Sequence, residues 1–574
     1  MENTQIAHIF EHMAEMLELK GGNQFRVRAY QNTARALNNL SERVEDMVQA
    51  GSDLSKLPNI GKSSAEKIKE IVGTGTCKRL QELKSEIPES LTELIQIPQL
   101  GARKVKLIND ELGVESVEDL ETACKEHRVR ELEGMGAKTE ENILKGIQTV
   151  QAASGRTMLK EALEQVNAIG RLLEERTEIS QWQVAGSFRR QRETVGDLDI
   201  LVESTDRNAT ADSILGSDLV EDVIGSGQQK VSVRLYGGLQ VDFRFFEKDA
   251  FGAALMYFTG SKSHNIAVRQ RAIESGWKLN EYGLFEDNKQ IGGKTEEDIY
   301  RSLDMSWVPP ELREDAGEIE AAVNGELPCL VKQNQMCGDL HCHTVASDGK
   351  NTIEEMAFAA KARGYEYLGI CDHSKAVSVA NGLDEERILK HASDIREVSE
   401  KFRDFRIMAG IEVDILKDGT LDLDEEVLSQ LDWVTASTHF HLNLSSEDMT
   451  KRLLKAIKSG VVNCIGHPFA RQIGRRDPII FDVDEVFSAC ADYGVCLEIN
   501  SQPERLDLLD VYCRKAKEAG IKMVISTDAH TADDLDFMRF GIGIARRGWL
   551  EKDDILNTRP QNDLAAFLEG DKFC

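Results

Sequence analysis

Between residues 338 and 530 the chain repeats one arrangement: a short apolar run ends at a histidine or a carboxylate. Gly338-Asp339-Leu340-His341-Cys342-His343 opens the series, and its H-x-H puts two imidazoles on one face of a strand. Asp348 follows in Ser347-Asp348-Gly349. His373 comes after Leu368-Gly369-Ile370-Cys371-Asp372, and Glu412 after Met408-Ala409-Gly410-Ile411. His439 follows Trp433 to Thr438, His467 follows Val461 to Gly466, and Asp528 and His530 end Met523 to Thr527. These runs alternate with helical stretches at 353–364, 384–403 and 504–519. That order predicts a parallel βα barrel with its chemistry at the strand C-terminal ends. A single histidine there is ordinarily structural. Nine nitrogen and oxygen donors in such positions (His341, His343, Asp348, His373, Glu412, His439, His467, Asp528 and His530) predict a metal centre. Mixed imidazole and carboxylate sets suit Mn²⁺, Zn²⁺ or iron.

The first half is organised around another stretch, Gly186-Ser187-Phe188-Arg189-Arg190-Gln191-Arg192-Glu193-Thr194-Val195-Gly196-Asp197-Leu198-Asp199-Ile200-Leu201-Val202. The alternation predicts a β-strand with Asp197 and Asp199 on one face. Close like charges repel unless a cation lies between them, and carboxylate oxygens suit Mg²⁺. Gly186 allows close backbone approach, Ser187 offers a hydroxyl, and Arg189, Arg190 and Arg192 offer forks for phosphate. Metal ligands beside a phosphate cradle point to phosphoryl or nucleotidyl transfer. An edge strand with two solvated aspartates would share the D-x-D, but not the adjoining Gly-Ser and arginines.

This G-S-F-R-R…G-D-x-D resembles the nucleotidyltransferase motif of family X DNA polymerases, the family of DNA polymerase beta. The resemblance implies a third carboxylate on a neighbouring strand, which Gln240-Val241-Asp242-Phe243-Arg244 supplies at Asp242. It implies that Ser187 and Arg190 hold the triphosphate, with Gly186 and Gly196 beside it and Arg156 near it. Lys230 resembles a lysine facing the primer-template minor groove. The run Tyr257-Phe258-Thr259-Gly260-Ser261-Lys262-Ser263-His264-Asn265, with Arg269 beyond, resembles the nucleotide-selecting segment. There Tyr257 and Phe258 would exclude a 2′-hydroxyl, and Asn265 and Arg269 would contact base and template. The resemblance extends over about residues 1–315.

Upstream, Ile6, Ile9, Phe10, Met13 and Leu17 recur at helical spacing and predict a core face. Leu57-Pro58-Asn59-Ile60-Gly61-Lys62 resembles a helix-hairpin-helix, whose turn at Gly61 starts a helix that grips DNA phosphate without reading sequence. The pattern repeats as Ile97-Pro98-Gln99-Leu100-Gly101-Ala102, and more loosely at Leu132 to Lys138. Lys67 matches the position where some family members form a Schiff base with an abasic sugar. A plain phosphate contact is the alternative, because Ser63 stands where a second lysine is common.

The second half resembles the PHP (polymerase and histidinol phosphatase) domain, a distorted barrel binding up to three metals. The resemblance implies that His341, His343, Glu412 and Asp528 hold one ion and that Glu412 bridges to a second held by His439 and His467. Asp348, His373 and His530 would hold the third. His441, Arg471 and Asn500 lie close enough in sequence to touch substrate phosphate.

The expected architecture is therefore multidomain. A helical DNA-binding domain (1–82), a helix-hairpin-helix subdomain (83–154) and an α+β palm (155–250) come first. A nucleotide-selecting subdomain (251–315), a polar linker (316–335) and a (βα)7 PHP barrel (336–574) follow. Such a chain is expected to be a monomeric gap-filling DNA polymerase with deoxynucleoside triphosphates, gapped DNA and Mg²⁺ as partners. The barrel is expected to act as a 3′→5′ exonuclease, and at abasic sites, with Mn²⁺ or Zn²⁺. The alternatives are a DNA-gripping scaffold with a structural barrel, and a small-molecule phosphatase. Seventy basic against 99 acidic residues leave a net charge of −29, which argues against loose adhesion to DNA or anionic membrane. Eleven cysteines without a C-x-x-C pair predict a reducing cytoplasm. The N-terminus lacks signal-peptide character, and no apolar run approaches the ~20 residues that span a bilayer.

Overall fold

The protein is described here by a computed structural model covering residues 3–20, 23–38, 40, 43–74, 76–86, 94, 100, 102–114, 119–120, 123–124, 127–132, 134–136, 138–140, 143 and 156–569. Two compact units divide it, Met1–Arg156 and Thr157–Cys574. Among the described residues no helix is long and apolar enough to cross a membrane.

The first unit is helical. Ile6, Phe10, Met13 and Leu17 share one face of the helix Asn3–Leu19 and are buried with Tyr30, Ile60 and Ile68 in one core. The helix Lys62–Thr74 begins directly after Gly61, where Asn59 takes a left-handed φ of 62° to form the turn. Ala65 donates to the Gly61 carbonyl at 2.9 Å, so the preceding amides of this first helical turn lack intrahelical acceptors. In the repeat of this motif, Gly101 lies outside the described residues, and the helix Ala102–Leu112 follows it.

The second unit begins with β1 (Thr157–Met158), paired with β3 (Thr194–Val195). A five-stranded sheet then comprises β2 (Ile179–Val184), β4 (Asp197–Ser204), β7 (Gln240–Phe245), β6 (Lys230–Leu235) and β5 (Val220–Ser226), in that spatial order. Along β4 the apolar Leu198 and Ile200 point into the palm core while Asp197 and Asp199 take the other face. Strands β4 and β7 are parallel, and their register sets Asp199 directly beside Asp242.

The helices Phe251–Thr259 and Lys262–Glu274 and a small sheet of β8 (Lys278–Asn280), β9 (Gly283–Glu286) and β10 (Lys289–Gly292) follow. The residues read as a linker, 316–335, are packed against this subdomain. The helix Glu318–Asn324 is anchored where Glu318 meets His264 Nδ1 at 2.7 Å, both fully buried, and Leu330 joins the subdomain core. A polar stretch is held in place here because its charge finds a buried partner.

The barrel strands are β11 (Gly338–Cys342), β12 (Tyr367–Ile370), β13 (Arg406–Asp414), β14 (Trp433–Ser437), β15 (Cys464–Ile465), β16 (Cys496–Asn500) and β17 (Met523–Ser526). They are parallel and lie in sequence order. Past the end of β17, Asp528 N–H donates to the His341 carbonyl at 2.9 Å and His343 N–H to that of Ala529 at 2.8 Å, which draws the first and last strands together. Many of the covering helices start on side-chain caps, as at Thr352, Asp384, Ser445 and Asp482. Strands β12 and β14, which lead to His373 and His439, are buried along their whole length, as a parallel sheet under helices requires.

Between the five-stranded sheet domain and the subdomain that follows it, Glu296 is buried between Arg189, at 2.8 and 2.9 Å, and Arg313, at 2.6 Å, and accepts from Trp307 Nε1 at 3.1 Å. Arg189 is therefore committed to this junction rather than presented to a phosphate. Burial alone would raise the Glu296 pKa, but Arg313 and Arg189 bring it down to about 2. A carboxyl depressed on folding stabilises above its unfolded value and loses that contribution as pH falls towards its folded one. The size expected at neutral pH is about 3 kcal/mol. Glu296→Gln should lower the urea midpoint at pH 7, and the gap from wild type should narrow steadily below pH 4.5. An equal gap at pH 3 and pH 7 would contradict the ion-pair origin.

Two candidate metal centres

In the palm, β2 runs into the short helix Gly186–Arg189, whose first residue adopts φ 65°. Glycine suits that left-handed φ, the turn comes into contact distance of Asp199 Oδ2, and Ala185 N–H holds the Asp199 carbonyl at 2.8 Å. Ser187 follows beside the cluster, while Gly196 and Asp197 are exposed at the head of β4. Two cations face these carboxylates. Arg244 donates to Asp199 Oδ1 at 2.9 Å and to Asp242 Oδ2 at 3.0 Å. Lys230 Nζ stands 2.5 Å from Asp242 Oδ2, so in this conformation it faces the carboxylates and not a groove.

Burial pushes the Asp199 carboxyl up, with Asp197 and Asp242 adding repulsion and Arg244 opposing it. Asp242 is also raised by burial, but Lys230, Ser232 and Arg244 bring it below its ordinary value. Burial thus disfavours the charge on Asp199, while Lys230 and Arg244 balance Asp242, and the carboxylate oxygens of the cluster fit a divalent cation of the hard type. Arg244, which the sequence reading left without a role, occupies the place where such charge is needed. Its alternation with Asp242 on β7 is the signal that could have found it.

The segment expected to select the nucleotide lies next to this cluster. Phe258 is 4.3 Å from the Arg244 guanidinium and 5.0 Å from the Tyr257 ring. Asn265 donates to the Tyr257 carbonyl at 2.6 Å, and Gly260 ends the helix with φ 71°. Arg269 and Arg156 are exposed. Arg190 donates to Glu314 at 3.1 Å and to the Thr259 carbonyl, so it is engaged by protein groups. In the first unit Lys67 donates to Ser63 Oγ at 2.8 Å and lies over the Tyr30 ring. It lines a groove of 690 Å³ with Arg26, Lys78 and Arg79.

The barrel mouth gathers the second centre. Donor atoms lie within 4.8 Å of one another in three overlapping groups: His343, Asp348, His373 and His530; His341, His343 and Asp528; and His373, Glu412 and His439. His467 Nε2 reaches Glu412 Oε1 at 3.0 Å. His343 thus sits in two groups, and His373 adjoins Glu412 as well as Asp348. Buried ring nitrogens of His341, His343, His373, His439 and His467, and Glu412 Oε2, make no hydrogen bond. His373 Nδ1 and Glu412 Oε2 are 2.8 Å apart but lack hydrogen-bond alignment. Buried donor atoms without hydrogen bonds, gathered with carboxylates in these three groups, fit metal ligation.

The electrostatics agree. Burial lowers His341, yet Glu498, Glu412 and Asp528 carry it well above its ordinary value. Burial also opposes charging of His530, but Asp348 and Asp528 bring it to about 9. His343 falls to about 4 through burial beside His530 and His373. His467 and Asp528 hold left-handed φ values of 26° and 52°, unusual backbone that collects at functional sites.

Three buried residues missed in the sequence support the ligands. Glu498 accepts from His341 Nδ1 at 2.7 Å and from His467 N–H at 2.6 Å, which fixes the ring so that His341 Nε2 faces the cluster. Asp372 takes Thr344, Ser347 and His391, and Asp339 takes Thr527 and the His341 amide. Glu498 alternates with Asn500 on β16, a face pattern that was legible. Asn500 donates to Asp528 and Glu498, so it holds ligands. Arg471, expected at substrate phosphate, is turned to Glu193 at 2.7 Å and the Leu506 carbonyl at 2.6 Å. His441 is exposed at the rim.

Comparison with known proteins gives the same division. The chain matches the helix-hairpin-helix domain over residues 1–77 and the SAM-like helix-hairpin-helix tandem over 91–149. It matches the DNA polymerase beta palm over 156–238, the DNA polymerase beta thumb over 254–314 and the PHP domain over 339–502. The chain is 31% identical over 232 residues to a probable phosphatase of Thermoanaerobacter sp. (strain X514), covering 38% of this chain and 89% of that protein. The DNA polymerase/3′-5′ exonuclease PolX of Bacillus subtilis (strain 168) is 38% identical over 573 residues, covering 99% of this chain and all of that one. Polymerase palm, thumb, hairpins and PHP barrel in one chain, aligned end to end with that relative, show that this protein belongs to the PolX family of DNA polymerases.

Proposed function

We propose that the chain is a DNA-directed DNA polymerase that fills short gaps in repair and that its barrel removes nucleotides from 3′ ends. The observation that carries the first half is the β4–β7 register, which sets Asp199 beside Asp242 with Asp197 two residues away. The helix-hairpin-helix turns grip phosphates of gapped duplex through Gly61 and Gly101. Lys67, with Arg26, Lys78 and Arg79 in a groove also lined by Glu66, Glu70 and Glu82, contacts the downstream strand, and abasic-site lyase chemistry at Lys67 is a second reading of that groove. The protein is read as a cytoplasmic monomer.

In this reading Asp197, Asp199 and Asp242 hold Mg²⁺ in the palm, and the nine barrel residues hold up to three Mn²⁺ or Zn²⁺ ions. Such ions supply positive charge that polarises the phosphate and acidifies the attacking hydroxyl. The protein residues do the rest. Ser187, Gly186 and Gly196 receive the triphosphate at the turn, with Arg190 exchanging Glu314 for it. Asp242 places the primer 3′-hydroxyl and takes up its proton as the oxygen attacks the α-phosphorus in line, the bond to the β-phosphate breaking and pyrophosphate leaving. Arg244 and Lys230 give up their carboxylates to let that geometry form. Tyr257 and Phe258 press on the sugar, Asn265 and Arg269 touch base and template, and Lys230 then turns to the minor groove.

In the barrel Glu498 keeps His341 in one tautomer, and Asn500 steadies Asp528. His343, shared between two groups, links the ligands at the mouth. The likeness to a probable phosphatase supports a second reading, in which the barrel removes terminal phosphate monoesters.

Asp242→Ala is expected to lower primer extension at least about a thousandfold while degradation of 3′ ends persists, since only the palm loses its base and ligand. Near-normal incorporation by this variant would refute the role of Asp242. Conversely, His343→Ala should remove 3′→5′ degradation and bound metal but leave extension within about twofold, since the palm carboxylates belong to a separate cluster. Persistent degradation by metal-depleted His343→Ala would place the nuclease elsewhere. Release of inorganic phosphate instead of nucleotides by wild type would favour the phosphatase reading.

A further inference from the structure

The turn that carries the nucleotide motif is fastened to the barrel. Phe188 packs on the barrel core, and Leu159, whose amide donates to the Glu193 carbonyl at 3.0 Å, is buried within it. Gln191, at φ 55°, lies against Gly543 of the helix Met538–Arg547. A Cβ at Gly543 would come within 2.9 Å of Gln191 Oε1 and 3.2 Å of its Cβ. Glu193 is held by Arg471 at 2.7 Å.

The strongest tie is a buried ion cluster where the palm, thumb and barrel meet. Arg547, at the end of that barrel helix, donates to Glu314 at 3.0 Å and to the Arg190 carbonyl at 2.9 Å, and meets Asp510 at 2.6 Å. Glu314 in turn accepts from Arg190 at 3.1 Å, with Arg192 at 3.8 Å. The Glu314 carbonyl lies 3.4 Å from Ser263 Oγ, and Arg190 also binds the Thr259 carbonyl. One arginine of the barrel thus holds both the backbone and the counter-ion of Arg190, the palm arginine proposed above to receive the triphosphate, and touches the thumb through the same carboxylate.

We propose that Arg547 is a positioning residue for polymerisation: from the PHP barrel it sets the place of the Arg190 turn and so governs nucleoside triphosphate binding. This rests on the polymerase reading above. The physical reason is the arrangement of charge. A buried carboxylate shared by several guanidiniums keeps its place only while the fork that holds it is rigid. With Arg547 in position, Glu314 can hold Arg190 until a triphosphate takes the guanidinium over, and the Arg190 backbone does not drift. Lysine cannot replace it, because a single ammonium does not span Glu314, Asp510 and the Arg190 carbonyl at once. Arg547 touches neither reacting atoms nor any of the nine barrel donors in the contacts above, so its effect is confined to the geometry of the turn.

The test uses full-length protein with Arg547→Gln and, separately, Gly543→Val, which pushes on Gln191 from the same helix without removing charge. Single-nucleotide gap filling gives KM for the incoming deoxynucleoside triphosphate and kcat, and degradation of a single-stranded 3′ end is measured on the same preparations. Misplacement of a binding group supports a rise in KM of roughly tenfold. The expected result is that rise in both variants, with kcat and degradation within about twofold of wild type. An unchanged KM, or parallel loss of both activities with a lowered Tm, overturns the proposal. Wild-type protein that does not extend primers would instead defeat the polymerase reading itself.

Discussion

At the end of β13 one buried carboxylate, Glu412, faces five imidazoles. His373, His467, His439, His341 and His343 approach it at 2.8, 3.0, 3.3, 3.5 and 3.8 Å. A carboxylate in an apolar barrel is strongly disfavoured unless opposite charge lies beside it. Glu412 nevertheless stays ionised, well below its ordinary pKa; burial works against this, and His439, His373 and His341 outweigh it. The seven strands bring donors that are up to 189 residues apart in sequence, His341 and His530, into that one neighbourhood. The scaffold therefore solves a charge problem that only several strand ends together can solve, and a divalent cation is the natural completion of it.

The palm meets a smaller version of the same problem with different means. Asp199 and Asp242 are neighbours by strand register, and Arg244 and Lys230 balance them from β7 and β6. A guanidinium and an ammonium are held by long side chains and can withdraw, whereas the barrel imidazoles are fixed by buried neighbours such as Glu498. A third balance, among Glu314, Arg190, Arg547 and Asp510, joins the two halves of the second unit. The net charge of −29 conceals this local pairing.

Periodicity made the barrel and the palm strand legible, because each depends on local alternation of apolar residues with donors. The nine barrel donors and Asp197 and Asp199 stood out for the same reason, whereas Asp242 was found because the family resemblance called for a third carboxylate. Roles fixed by distant partners did not. Arg189 reads as a phosphate fork, but Glu296 lies 107 residues away and claims it. Arg471 was expected at substrate phosphate, but Glu193, 278 residues away, holds it in the domain junction. Residues 316–335 read as a linker because Glu318 looks solvated until His264 is folded against it. Glu498 and Arg244 sit in alternating strand patterns, but their roles depend on His341 and His467 and on Asp199, partners that only the fold brings to them.

The central claim is that the barrel cluster is charge-deficient and is completed by divalent metal in place of protons on its histidines. Its most direct test is titration of metal-free protein with Mn²⁺ in weakly buffered solution near pH 7.5, reading bound ions and released protons together. The claim predicts tight binding of more than one ion per chain with proton release, because His341 and His530 lie above their ordinary values before binding. It also predicts that Asp242→Ala keeps this release and His343→Ala loses it. Binding without proton release, or no tight binding to the wild-type protein, would contradict it.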